Sequence, residues 1–484
     1  MEFMDYKKYS KKVLVVGIAN VFMYARNILI LPILARSLGV GLYGLWSQIF
    51  ALVELLTPIF SLRLSAALTR NIAAENDPKI IRDSFWTTLI SGIFSSCILS
   101  LMFSFFVTLS TKYFGEEMQE LSSFSFHIAV MLILGGISNS CLMYFKTFER
   151  SFAFSGLLLA ESLGFIILTY LMLSFGFKLM SPIYGIIFIK IIIILFSLPI
   201  IIKEIGVTFV DKNILSGYLS YSIPLIPMAF LYWIIQMSDR YMIDLFLNKE
   251  EVGRYSAAYA IGGLISFIFS PIFTFLLPRT AILWEKENFL ELKKFFRMSL
   301  KYPTIVALPM VITGPVWGVA SITLVLGGEF ATSPILILNV LLGYFILMVG
   351  TFYTSILHME KRTTVLLSVN ILSAFLNVSL NLILIPLIGI EGAAFSTCLT
   401  FLVQTLLFHY FTKKSFEFDL GGGDIFKVSL SSIVYLIILL NFEMNHMSEL
   451  TIALLGGGVI YLLLLILLRV LKKEELKFLY SMVK

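Results

Sequence analysis

Fourteen apolar runs of about 20 residues each divide this chain, and they exclude a water-soluble fold before any motif is considered. At a helical rise of 1.5 Å per residue, a run of that length crosses the ~30 Å hydrocarbon core of a bilayer. The first lies at 13–34, the seventh at 218–247 and the last two at 426–442 and 450–470. Only 14% of the 484 residues are charged, and mean hydropathy is +0.93. Soluble domains hold about a quarter of their residues charged. The chain is therefore read as an all-α, multi-span membrane protein. No polar stretch is long enough for a separate soluble domain. The first run follows Lys7, Lys8, Lys11 and Lys12, but it is too long for a signal peptide, carries Arg26 and lacks a small-residue cleavage site, so it is read as a retained span.

The loop charges fix a topology. With both ends in the cytoplasm, the inner segments hold the N-terminal lysines, Arg70, Lys79, Arg82, Lys146, Arg150, the basic stretch from Arg279 to Lys301, Lys361, Arg362, Lys413, Lys414 and the tail from Arg469 to Lys484. The outer segments hold only Arg36, Lys112, Lys178, Lys249 and Arg254, beside acidic residues such as Glu116, Glu117, Glu120, Glu443 and Glu449. A missed or invented span would scramble this bias downstream of the error. In the longest inner loop, Phe289, Leu292, Phe295 and Phe296 oppose Lys293, Lys294 and Arg297, which predicts either a helix lying on the inner leaflet or a basic connecting loop.

Several chemistries are excluded or unsupported. The net charge of +6 follows from the positive-inside bias and implies no nucleic acid. Cys97, Cys141 and Cys398 lie within spans without C-x-x-C spacing, and the four histidines are scattered. No catalytic set, metal site or cofactor is predicted.

The informative residues are the charges inside spans, because each costs roughly 2.5–3.5 kcal/mol to insert and so faces protein or a wet cavity. They are Arg26, Glu54, Arg63, Glu161, Lys190, Asp239, Arg240 and Asp244. Arg26 and Glu54 fall near mid-bilayer in adjacent spans, where they could form a structural ion pair. Lys190 and the Asp239–Arg240 pair share a depth and could face each other across a cleft. Arg63 and Asp244 lie close enough to span ends to snorkel. Glu161 has no evident partner and reads either as a proton or cation site or as a carboxyl bonded to a neighbouring Ser or Thr. If Arg26, Lys190 and Arg240 line one chamber, it suits an anionic group such as a diphosphate. Glu54, Glu161 and Asp239 are then the candidates for ion pairing or for coupling to H+ or Na+.

A weak internal repeat is visible. G-L-Y-G at Gly41–Gly44 precedes T-P-I-F at Thr57–Phe60, and G-R-Y-S at Gly253–Ser256 precedes S-P-I-F at Ser270–Phe273 at nearly the same separation. Six spans separate the copies, which predicts parallel halves around a midplane cavity.

Four stretches resemble one family. The run from Pro224 through S-D-R-Y-M-I-D-L-F-L to E-E-V-G-R-Y-S-A-A-Y, ending at Tyr259, resembles the seventh-span signature of the polysaccharide transporter family, the Wzx-type oligosaccharide flippases of the MATE-like MOP exporter superfamily. Leu31–Trp46 is similar to its first hairpin, Leu326–Phe330 to its ninth-to-tenth turn, and Leu376–Thr397 to its eleventh-to-twelfth hairpin. The resemblance implies two six-helix lobes around a central cavity, here 1–212 and 213–415, with an added helix pair at 416–484. It implies alternating access of a polyprenyl-diphosphate-linked oligosaccharide across the cytoplasmic membrane, with glycan-assembly proteins as possible associates. Asp239 and Arg240 are carried by the motif. Asn377 and Asn381 also belong to a motif and stand one helical turn apart, where bonding between helices outweighs substrate contact. The alternative is a cation-coupled MATE-type drug antiporter, which favours carboxylate-dominated, aromatic-lined pockets. An enzyme such as a glycan polymerase would need an outer loop longer than any here.

Overall fold

The computed structural model describes residues 6–72, 75, 77–114, 116–148, 150–419 and 421–470; the side chains of 6–18, 20, 21, 24 and 111–121 lie outside that description. The expected inner charges Lys7 to Lys12, the outer charges Lys112, Glu116, Glu117 and Glu120, and the tail beyond Val470 therefore fall outside the described side chains. The helices, in chain order, are α1 (Tyr6–Phe60), α2 (Leu64–Ile72), α3 (Pro78–Phe114), α4 (Glu116–Thr147), α5 (Ser151–Ser174), α6 (Met180–Ile205), α7 (Lys212–Ser222), α8 (Ile226–Met237), α9 (Asp239–Phe246), α10 (Lys249–Glu285), α11 (Phe289–Leu326), α12 (Pro334–Met359), α13 (Thr363–Thr412), α14 (Gly422–Leu439) and α15 (Met447–Leu467). No strand occurs among the described residues.

Among the described residues, twelve helical segments are long and apolar enough to cross a membrane, and two of them contain a non-helical break. α1 breaks at Gly39 (φ 75°) and α13 at Ile388 and Gly389 (φ 66°), positive angles that glycine adopts without a Cβ clash. The halves of α13 run back along each other: Asn370 meets Gln404 and Asn377 meets Thr397, both pairs centred on residue 387, and Arg362, just before the helix, meets Phe411. The fourteen spans read from the sequence are thus present.

The chain forms two compact units. One comprises Trp46–Trp233. Its helices invert the soluble pattern: on α3, Phe94, Leu101, Phe105 and Phe106 are exposed, whereas Ser96, Ser100 and Ser110 are buried. In lipid there is no hydrophobic gain from helix association, so small and hydroxylic side chains form the contacts while large apolar ones face the acyl chains. Asn139 Nδ2 donates to Ser65 Oγ at 3.0 Å, and Ser95 Oγ to the Phe60 carbonyl at 2.7 Å. The carbonyl of Leu225, in the Ile223–Leu225 3-10 turn, receives Arg63 Nη1 at 3.2 Å, so Arg63 caps a proline-broken helix instead of merely snorkelling.

The other unit comprises Met1–Leu45 and Ile234–Lys484. In it the two repeat markers pack on each other. A Cβ on Gly44 would strike the carbonyl oxygen of Lys249 and stand 3.0 Å from Gly253 N, and a Cβ on Gly253 would strike the carbonyl oxygen of Val40. Backbone meets backbone there, so only glycine fits. Arg36 donates to the carbonyls of Val325 (2.6 Å) and Leu324 (3.0 Å), and Arg254 to that of Glu329 (2.9 Å), so both arginines hold the turn that ends α11.

The basic stretch 279–301 is neither a separate short helix nor a loop throughout. α10 ends at Glu285, and α11 starts at Phe289 and continues as a span. Leu292, Phe295 and Phe296 are buried, with the Phe296 ring 5.5 Å from Phe352, 5.8 Å from Phe416 and 5.1 Å from Phe418. Its apolar face meets protein instead of lipid. The α14–α15 pair packs on α11 through Val428, Tyr435 and Tyr461; Lys301 Nζ lies 3.0 Å from Asp424 Oδ2, and Tyr461 OH donates to the Ile305 carbonyl at 2.5 Å.

Candidate functional site

The seventh span breaks at Ser238, whose Oγ donates back to the Ile234 carbonyl at 2.6 Å. Such back-bonding competes with the helical ladder and bends it. α9 starts at the next residue, so Asp239 and Arg240 stand at a buried helix start, 1% and 7% exposed. Arg240 Nη1 donates to Asp239 Oδ1 at 3.1 Å and to the Gln236 carbonyl at 3.1 Å. The Tyr255 hydroxyl donates to Asp239 Oδ2. The guanidinium carbon lies 5.4 Å from the ring centroid of Tyr259 and 5.8 Å from that of Tyr255. A desolvated cation against aromatic faces gains about 2 kcal/mol, which offsets part of its burial.

The network continues. The rings of Tyr255 and Tyr259 are 4.4 Å apart, and that of Tyr344 is 5.9 Å from Tyr259. Tyr259 lies near Thr397, which accepts from Asn377 Nδ2 at 3.2 Å; Asn377 Oδ1 accepts from Asn381 Nδ2 at 3.1 Å. The seventh-span and eleventh-span motifs, apart in sequence, thus lie close together, as two bonded groups on either side of Tyr259. Asn377 bonds across to the returning half of the hairpin, whereas Asn381 bonds back to Asn377 on the same half.

A second ion pair lies in the other unit. Lys190 Nζ is 2.7 Å from Glu161 Oε1 and 3.3 Å from Ser138 Oγ, joining α4, α5 and α6. Glu161, for which the sequence offered no partner, has Lys190. Arg26 is half-buried and engaged in polar contact, Glu54 is exposed though also engaged, and Asp244 is half-buried and engaged. The reading from sequence missed Ser138, Tyr255, Tyr259, Tyr344 and Thr397. Tyr255 and Tyr259, one turn apart inside the matched motif, carried a signal, as did Thr397 at the end of its hairpin motif. Tyr344 lies in an unbroken apolar run and carried none.

Comparison with known proteins places this geometry in context. A sequence model of the family described as "Polysaccharide biosynthesis protein" matches residues 9–284. The chain is 21% identical over 475 residues to a "probable low-salt glycan biosynthesis flippase" of Haloferax volcanii, covering 96% of this chain and 97% of that protein. In fold it is similar to the lipid II flippase MurJ in an inward closed conformation, with a TM-score of 0.76 at 17% identity, covering 94% of this chain and 99% of that one. It is also similar to an inward-facing multidrug transporter of the MATE family in the MOP superfamily, with a TM-score of 0.63 at 14% identity, covering 84% and 97%.

Proposed function

Since this chain belongs to the polysaccharide biosynthesis protein family, we propose that it is a flippase carrying a polyprenyl-diphosphate-linked oligosaccharide across the cell membrane, cytoplasmic face to outer face, by alternating access, for cell-surface polysaccharide assembly. The full-length likeness to a glycan biosynthesis flippase and the fold shared with a lipid II flippase support this over the drug antiporter. The single observation that carries the mechanism is that two cations within spans are each held by one carboxylate, Lys190 by Glu161 and Arg240 by Asp239.

A lone buried charge is costly, whereas exchange of one anionic partner for another keeps the cation paired throughout. The carboxylates act as placeholders. Arg26, Lys190 and Arg240 meet the diphosphate when the cavity is open to the cytoplasm, and Glu161 and Asp239, with Glu54, are then free to take up H+ or Na+. Rocking of the lobes at 1–212 and 213–415 presents the substrate outside, where the carboxylates reclaim the cations and release it. Both termini lie in the cytoplasm, the polyprenyl tail stays in lipid, and no bond is made or cleaved.

The test is depletion of this protein in its host, with lipid-linked oligosaccharide quantified and its leaflet assigned by accessibility to external glycosidase. Accumulation of glycosidase-protected, full-length oligosaccharide is expected. Unchanged levels and normal surface glycan on depletion would overturn the reading.

A further inference from the structure

Beside the turn that ends α11, a cavity of about 580 Å³ opens where three helix connections converge. It is lined by Asn248, Glu251, Arg254, Thr332, Ser333 and Glu391, closed by a few apolar neighbours and Gly389. That volume falls in the range of small-molecule sites, roughly 300–1,000 Å³. All its walls belong to one compact unit, so the site does not depend on how the lobes are disposed.

The hydrogen-bond capacity of the walls is partly used and partly left over. Asn248 Oδ1 accepts from the Glu251 amide at 2.9 Å, and Ser333 Oγ from the Leu336 amide at 3.1 Å. Arg254 is satisfied by the Glu251 carboxylate and by the Glu329 carbonyl. Three groups remain among the described residues. Thr332 Oγ1 is shielded and unpartnered, the Asn248 amide nitrogen is uncommitted, and the half-buried Glu391 carboxylate has no hydrogen-bond or ion-pair partner. Glu391 Oε2 stands 3.6 Å from the place a Cβ on Gly389 would occupy, so the glycine leaves room at the carboxylate.

The pattern selects a class of ligand. Arg254 is neutralised by Glu251, and Glu391 adds a negative charge, so an anion is disfavoured. Among the described residues no group of three or more His, Cys, Asp or Glu side chains is assembled here or elsewhere to hold a metal ion. A carboxylate that accepts, an amide that donates and hydroxyls that do both match the vicinal hydroxyl groups of a sugar. We propose that this cavity is a second saccharide site, on the outer side of the membrane, which holds neutral sugar residues of the glycan as it leaves. This rests on the flippase reading and on cytoplasmic termini, which place the α9–α10 connection outside.

The experiment uses Ala331→Cys, an exposed position at the cavity mouth, in the full-length chain in intact cells treated with a membrane-impermeant maleimide. The unsubstituted chain, whose three cysteines lie within spans, is the blank. Labelling is compared between cells making the lipid-linked glycan and cells lacking the first glycosyltransferase. We expect labelling to fall roughly threefold or more when glycan is made, as for a mostly occupied site, and Glu391→Gln to abolish that difference. No labelling at all would overturn the outer placement. Equal labelling in both strains, or protection that survives Glu391→Gln, would overturn the site. Surface glycan measured in the same strains reports separately on the flippase reading: normal export with equal labelling removes only the cavity.

Discussion

Asn377 donates to Thr397 at 3.2 Å across twenty residues of chain, from the outgoing to the returning half of one helical hairpin. Thr397 lies near Tyr259, whose ring packs on that of Tyr255, the donor to Asp239 in the Asp239–Arg240 pair. A residue that looks like hairpin packing therefore borders the cluster around the buried ion pair.

Replacing Asn377 by Ala removes two side-chain bonds in a dry environment, and bonds of this kind within membranes are worth about 0.6–1.7 kcal/mol. A lower melting temperature of the purified protein in detergent is expected, with Asn381→Ala milder because it loses one bond. Unchanged melting in both variants would show the network to be incidental.

The Asp239–Arg240 pair separates stability from transport. Asp239→Ala leaves a buried guanidinium without its carboxylate, a loss of roughly 3–5 kcal/mol for buried pairs. The double variant Asp239→Leu with Arg240→Met removes both charges and is expected to melt closer to the parent than the single variant does, yet to export no glycan. If the double variant exports normally, the pair is only structural. Arg240→Ala and Arg240→Lys tested singly sharpen the point: normal export by both would remove Arg240 from the substrate site.

For Lys190 and Glu161 the informative change is the swap, Glu161→Lys with Lys190→Glu. It retains an ion pair but moves the cation from α6 to α5. Stability near that of the parent and impaired export are expected, read by detergent melting and by surface glycan. Full export by the swapped protein would mean that the position of the cation does not matter.

Gly44 and Gly253 admit no side chain, since each added Cβ meets a backbone carbonyl oxygen. Gly253→Ala should cost about 1–3 kcal/mol, the usual range for overpacking, and Gly253→Val more. Fluorescence-detected size exclusion would register this as loss of the monodisperse peak, and an intact peak for Gly253→Val would contradict the close approach.

Much of the fold was legible because hydrophobic length maps directly onto membrane crossing. The apolar spans and the burial of Asp239 and Arg240 follow from local sequence, since hydrophobic length and charge act on the segment that carries them. The basic 279–301 stretch shows the limit. Its two-faced pattern is real, but periodicity says only that one face avoids water, and the structure covers that face with Phe352, Phe416 and Phe418.

What the sequence determined alone was the number of crossings and which residues are too polar to face lipid. What only the tertiary structure decided was the company those residues keep: Lys190 for Glu161, Tyr255 and Tyr259 against Arg240, Thr397 for Asn377, and Glu391 in a cavity built from three connections. Hydropathy fixes the depth of a side chain, whereas a partner is chosen by the rotation of each helix about its axis and by how closely neighbouring backbones approach.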